Sequence, residues 1–489
     1  MNRPKILGGI ALASMMLVVL TGCPSMIGNV VGSDESVDEA VDEAQQGDTV
    51  KVTGTVKEED GEVDVSTDGV TITGGDEGAT IDSKVTVDGN DVTIENITIT
   101  EGLDTVPGSF RNLTLNNVTV KAWNATISGT FTCADVVQPG SSIQTAIDKS
   151  GSGDNVCVAP GTYTPQATLE INQALTLRSF GQGNNRSVIN ANGVDLSGGN
   201  IIPRKAILTI GASTVTIDSF VITAENDTAA NAATAGIWID ARAATQDLTI
   251  ANTEIREIAN PTGPSQSQQA PGSPIAYGIN VAGNQSVTNL QISNSTIQDI
   301  GSTSNSVRGV GLSIEDLTGA GATINGVTIA NMQDATSSLT PGSSPSDVAG
   351  KAGVGLVLDN PDGSDGSDVS QSAIADITDN AFEDTLLDLV VGNASSSTDV
   401  SNLSINNNDF GDGSGIGLST AVPDGNGGFK SGISNGPIDA TSNFWGDASG
   451  ADEDTDPSNG CAGGDGGGSG DVICLAGDID ASGALSSAP

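Results

Sequence analysis

The feature that most constrains this chain is a short element, Ile-x-Asn-x-x-Ile, that returns along its length. It reads Ile250-Ala-Asn252-Thr-Glu-Ile255, Ile292-Ser-Asn294-Ser-Thr-Ile297 and Ile405-Asn-Asn407-Asn-Asp-Phe410. Earlier copies are Ile94-Glu-Asn96-Ile-Thr-Ile99 and Leu115-Asn-Asn117-Val-Thr-Val120. Ile217-Asp-Ser219-Phe-Val-Ile222 and Ile324-Asn-Gly326-Val-Thr-Ile329 keep the spacing with Ser or Gly at the middle site. A second element is a Gly-led strand: "GIWID" (236–240), "GINVA" (278–282), "GLSIE" (311–315) and "GLVLD" (355–359). Its first core position precedes the first Ile of the other element by 13, 13, 12 and 18 residues (Ile237 to Ile250, Ile279 to Ile292, Leu312 to Ile324, Leu356 to Ile374). One period therefore holds three short strands.

A repeat of that size is a solenoid coil, which cannot bury its apolar face alone but can when stacked. Strands of successive coils then pair about 4.8 Å apart, and Ile, Val and Leu form interior ladders. Asn tolerates the left-handed backbone of a tight bend, and its amide can bond to the next Asn in the stack. A flat antiparallel sandwich would not hold Asn in register between two Ile positions. With aromatics at 3 %, the core has to be aliphatic.

The pattern resembles the right-handed parallel β-helix, the pectate-lyase-like fold, over about residues 36–480. The resemblance implies an all-β solenoid. It implies no single reaction, because that fold hosts lyases, hydrolases, esterases, epimerases and non-catalytic adhesins.

A β-helix leaves open ends that need caps. "SSIQTAIDKSGSGDNVCVAPGTY" from Ser141 suits one: Ser142 is a helix N-cap, and Ile143, Ala146 and Ile147 make one apolar stripe. "ESVDEAVDEAQQGDTVKV" from Glu35 is a second copy, with Ser36, Val37, Ala40 and Val41 in the matching places. Two modules follow, a short β-helix over 36–130 and a main one over 141–450, each with a short N-terminal capping helix. Asn443-Phe444-Trp445-Gly446 resembles the close of many surface β-helix proteins, with two aromatics plugging the last coil. Residues 451–489 form a Gly-rich tail.

The opening "MNRPKILGGIALASMMLVVLTGCPS" reads as an export signal over 1–22, followed by a linker over 23–35. Leu20-Thr21-Gly22-Cys23 resembles a prokaryotic lipobox, which implies lipid on Cys23. The chain would then be anchored to a membrane and face outside the cytoplasm, in the cell envelope. The other cysteines fall into two sequence-local pairs, Cys133 with Cys157 and Cys461 with Cys474; two disulfides suit an oxidising compartment, and the sequence does not choose among the three pairings that four cysteines allow. The formal charge is −44, with no His. Such a surface repels nucleic acid. Adaptation to high salt is the favoured reading of the charge, and a metal-laden surface is the other.

Tests of chemistry come from the resemblance. The Arg-rich motif of pectate lyases, the Gly-His-Gly of polygalacturonases and the Asp-Pro-His-Asp of mannuronan epimerases are all absent. Two long insertions, 260–274 and 333–350, precede Gly-led strands and would overhang one face, which in this fold commonly forms the substrate groove. Trp238, Asn280, Ser313 and Val357 form one outward row there, and Asp240, Ala282, Glu315 and Asp359 the next. Trp238 would stack on a sugar ring. Glu315 and Asp359, on adjacent coils, suit a carboxylate pair or a calcium ion. Asp362, Asp365 and Asp368 are a second calcium candidate, and no other cofactor is expected. Sequons at the bends, such as Asn96, Asn117 and Asn294, should face inward and stay unmodified. The expectation is a lipid-anchored, non-catalytic glycan-binding or adhesive scaffold. The alternative is a polysaccharide lyase or glycoside hydrolase in that groove.

Overall fold

The structure, a computed structural model, describes residues 29–75, 78–106, 112–181, 183–196, 205–225, 227, 233–240, 245–259, 275–282, 287–302, 306–314, 321–335, 352–358, 372–392, 398–411, 415–423, 429–431, 433–447, 449, 451–454, 471–474 and 479–489. The chain is a parallel β-helix. Its coils run strand by strand through three sheets and return to the first one coil further on. One full turn is Val215–Asp218, Phe220–Thr223, Ala235–Asp240, then Thr245–Ala251 directly beside the starting strand.

The predicted ladders are in register. Ile217 pairs with Ile250, Ile250 with Ile292, and Ile292 with Ile324. Ile237 pairs with Ile279, Ile279 with Leu312, and Leu312 with Leu356. The next partner of Ile324, however, is Ile377 and not Ile374. The coil there reads Ile377-Thr-Asp379-Asn-Ala-Phe382, with Asp where the other copies carry Asn, Ser or Gly. Asp adopts the left-handed bend for the same reason that Asn does.

That bend is a continuous column. Ser219, Asn252, Asn294, Gly326, Asp379, Asn407 and Ser442 all have φ between +47° and +69°. Gly326 apart, their side chains point away from the shaft, and Asn96, Asn117, Asn252, Asn294 and Asn407 are exposed. This corrects the expectation that the bend asparagines face inward. A left-handed residue turns the chain so that its own side chain leaves the coil and the following side chain enters it. The inward position holds Thr253, Ser295, Asn380, Asn408 and Asn443, all buried. There the stacked amides bond: Asn380 Oδ1 accepts the backbone N–H of Val327, and Asn443 Oδ1 that of Asn408.

The ladder of second isoleucines, Ile222-Ile255-Ile297-Ile329, ends in aromatics. Phe382 pairs with Ile329, stacks on Phe410 at 5.2 Å, and Phe410 stacks on Trp445 at 4.6 Å. Trp445 is fully buried, whereas Phe444 is only partly so, and one ring rather than two enters the shaft.

Near the start, helix α1 (Val37–Asp42) is capped by Ser36, whose side chain accepts the Glu39 N–H. Helix α2 (Ile143–Lys149) is capped likewise by Ser142, through Thr145 N–H. Val37 and Val41 join a buried cluster with Val50, Ile72, Ile94 and Leu115, while Ile143 and Ile147 join the cluster that continues to Ile479. Cys133 and Cys157 form a disulfide. Cys474 is disulfide-bonded as well; Cys461, its expected partner, and Cys23 lie outside the described residues. Among the described residues no helix is long and apolar enough to cross a membrane.

Candidate functional site

The row expected to face a groove is aligned as expected. Trp238 pairs with Asn280, Asn280 with Ser313, and Ser313 with Val357. It is not open to solvent. Trp238 is 5 % exposed and packs edge-on to Tyr277 at 6.3 Å, and Asp240 is 6 % exposed. Ala235, Tyr277, Val310, Val354, Leu387 and Val390 belong to the same buried layer. Trp238 and Asp240 are therefore corrected from surface to buried positions. The missed signal is that these strands read as near-continuous apolar runs, such as "AILTI", "VGLVL" and "LDLVV". Such runs mark strands buried on both faces. Glu315, Asp359, Asp362, Asp365 and Asp368 lie outside the described residues. Among the described residues, no group of three or more His, Cys, Asp or Glu is placed to hold a metal ion.

A different site is open. A groove of about 470 Å³ runs between the first turn of α2 and the loop 164–168. Its polar lining is Ser141, Ser142, Gln144, Thr145, Thr164, Gln166 and Thr168, with exposed carbon surface from Ala167 and with Pro165 and Ile189 buried in its wall. Gln144 pins one wall to the coil: its Oε1 accepts the Glu170 N–H at 2.7 Å and its Nε2 donates to the Glu170 carbonyl at 3.1 Å. Tyr163 closes the floor. Its hydroxyl lies 2.9 and 2.7 Å from the carbonyls of Val137 and Ala159, to one of which it donates. Burial pushes the Tyr163 phenol well above its ordinary value, so it stays neutral.

Two properties decide what this groove can hold. First, none of the residues lining it is charged, on a chain of formal charge −44. Second, Thr168 is 6 % exposed and its Oγ1 has no hydrogen-bond partner. A buried hydroxyl without a partner carries a desolvation cost, of order 1–3 kcal/mol, that a bound polar group would relieve. Hydroxyls and amides beside carbon surface suit a neutral, hydroxylated ligand. Sequence reasoning passed over this groove, although a signal was present: residues 136–147 and 155–169 contain no Asp, Glu, Lys or Arg.

No protein family and no curated protein sequence matches the chain. Among solved structures it is similar to a PL6 alginate lyase in complex with a trisaccharide, at 12 % identity and a TM-score of 0.29 over 94 % of this chain and 88 % of that one. It is also similar to the alginate lyase AlyF-OU02 with G6, at 12 % identity and a TM-score of 0.24, over 94 % of this chain and 87 % of the other. A mannuronic acid specific polysaccharide family 6 lyase from human gut microbiota matches at 12 % and 0.25, over 80 % and 82 %. Likenesses this distant assign no activity to the chain.

Proposed function

We propose that this is an exported protein, lipid-anchored through Cys23 in the cell envelope, whose stacked coils act as a non-catalytic scaffold binding a neutral polysaccharide. The observation that carries the reading is the uncharged groove with the unpartnered Thr168 hydroxyl. A uronic acid polymer would approach a surface of formal charge −44 against a repulsive field and find no Lys or Arg in the groove to hold it. A neutral glycan meets neither obstacle. Its hydroxyls match the Ser, Thr and Gln lining, and its carbon face matches Ala167.

A glycan array probed in molar salt tests this, with Thr168→Val and Gln166→Ala proteins beside the wild type. Neutral glycans should be retained, and each substitution should weaken retention several-fold without unfolding the protein. Preferential binding of uronate polymers, or release of unsaturated or reducing ends from any bound glycan, would sink the scaffold reading.

A further inference from the structure

The bend column presents a chemical feature that goes beyond the groove. Asn96-Ile97-Thr98 and Asn294-Ser295-Thr296 are both Asn-x-Thr sequons, the acceptor pattern for N-linked glycans in exported chains. In each, the left-handed Asn is exposed, at φ +52° and +47°, and the middle residue is buried. The Thr then returns to the outer side, so that amide and hydroxyl share the solvent face. Neither amide nitrogen donates a hydrogen bond among the described residues: Asn96 only accepts, through Oδ1, from Asn117. The Thr98 and Thr296 hydroxyls are likewise unengaged there. Neighbouring sequons differ. Asn112 donates to Asp91 at 3.0 Å, and Asn117 is held on both sides, donating to Asn96 and accepting from Gly129 N–H at 2.9 Å. Beside Asn294 the adjacent coil carries Gly326, where a Cβ would lie 3.0 Å from Asn294 Oδ1, and so the glycine leaves that side chain free to project.

We infer that Asn96 and Asn294 are N-glycosylated. In the transfer, Asn Nδ2 attacks the anomeric carbon of a lipid-phosphate-linked oligosaccharide. The N–C1 bond forms, the C1–O bond to phosphate breaks, the lipid phosphate leaves, and the amide gives up one proton to the transferase. The glycans would stand on the corners of the stack. The inference rests on the export reading.

The test uses protein purified from membranes of the cells that make it, mapped by peptide mass spectrometry including the N-terminal peptide. The expected result is a glycan mass on the Asn96 and Asn294 peptides. Asn96→Gln and Asn294→Gln should each remove one glycan. Thr296→Ala should remove the second while leaving Asn294 in place, and Thr296→Ser should keep it. Asn252, in the same column but followed by Thr253-Glu254, should be bare. A chain processed and lipidated at Cys23 with bare Asn96 and Asn294 overturns the inference and leaves the export reading standing. An unprocessed chain with bare sequons overturns both.

Discussion

Asn408 Oδ1 accepts the backbone N–H of Asn380 at 3.0 Å, while Asn408 Nδ2 donates to the carbonyl of Ile377 at 2.9 Å. One side chain thus satisfies a donor on the coil beside it and an acceptor at the same bend, with no exposure to water. At a turn inside a dry shaft the backbone has no water to bond, and each group left alone there is costly. Asn380, Asn408 and Asn443 repeat the arrangement over three coils.

Replacing Asn408 by Leu keeps the branching and the number of side-chain heavy atoms and removes these bonds. The Asn380 N–H is then buried without a partner and the Ile377 carbonyl loses one of its two bonds, and stability should fall by about 2 kcal/mol. Denaturant unfolding would measure it. Asn407→Ser, one residue away and exposed, should cost under about 1 kcal/mol.

The Gly-led strands owe their glycine to close packing. A Cβ on Gly278 would lie 2.3 Å from Ile297 Cγ2 and 2.5 Å from the Gly311 carbonyl oxygen. Gly278→Ala should therefore cost about 1–3 kcal/mol through overpacking. Gly32→Ala, whose Cβ would meet nothing closer than 3.8 Å, should be near neutral in the same thermal melt.

The Cys133–Cys157 disulfide joins residues 24 apart. Closing a loop of that length removes freedom from the unfolded chain worth about 3.5 kcal/mol on the chain-entropy account. Cys133→Ser/Cys157→Ser protein should show a lower unfolding midpoint by that measure. Reductant should lower the wild-type midpoint by more than that of the double variant, which keeps the Cys474 disulfide.

Salt should stabilise the fold strongly. With a formal charge of −44, the folded chain concentrates repulsion that the unfolded chain relaxes. The screening length shrinks from about 10 Å at 0.1 M to about 3 Å at 1 M salt. The thermal midpoint should climb steadily over that range. A flat profile would show that the carboxylates do not repel measurably.

Acidity should act through Asp334. Burial raises its pKa above the ordinary 3.8, and an N–H from Gly353 at 2.7 Å only partly offsets this. The charged form is the one the fold disfavours. Its contribution is therefore most favourable below pH 3.8 and is lost as pH rises through the folded pKa. Asp334→Asn should be more stable than wild type at neutral pH, with the difference vanishing below about pH 3.8. A gap of constant size across the titration would overturn this.

The coil was legible because its signal is periodic. Ile250, Ile292 and Ile324 recur at spacings that only stacking explains, and they pair as read. The Asp379 copy sits three residues later than expected because Ile374-Ala-Asp376 and Ile377-Thr-Asp379 begin alike, and only the register against Ile324 chooses between them. The candidate site was less legible. Trp238 was assigned to the correct row, but alternation gives only the side of a sheet on which a residue lies, not whether that side is covered.

Sequence by itself thus determined the three-strand coil, its ladders and its left-handed corners, because these depend on residue type at fixed local spacing. Only the tertiary structure decided which side of each bend faces water, that Trp238 and Asp240 are enclosed, and that residues 141–145 and 164–168 meet across an open groove. Those outcomes depend on how separate parts of the chain pack against one another, which no local spacing records.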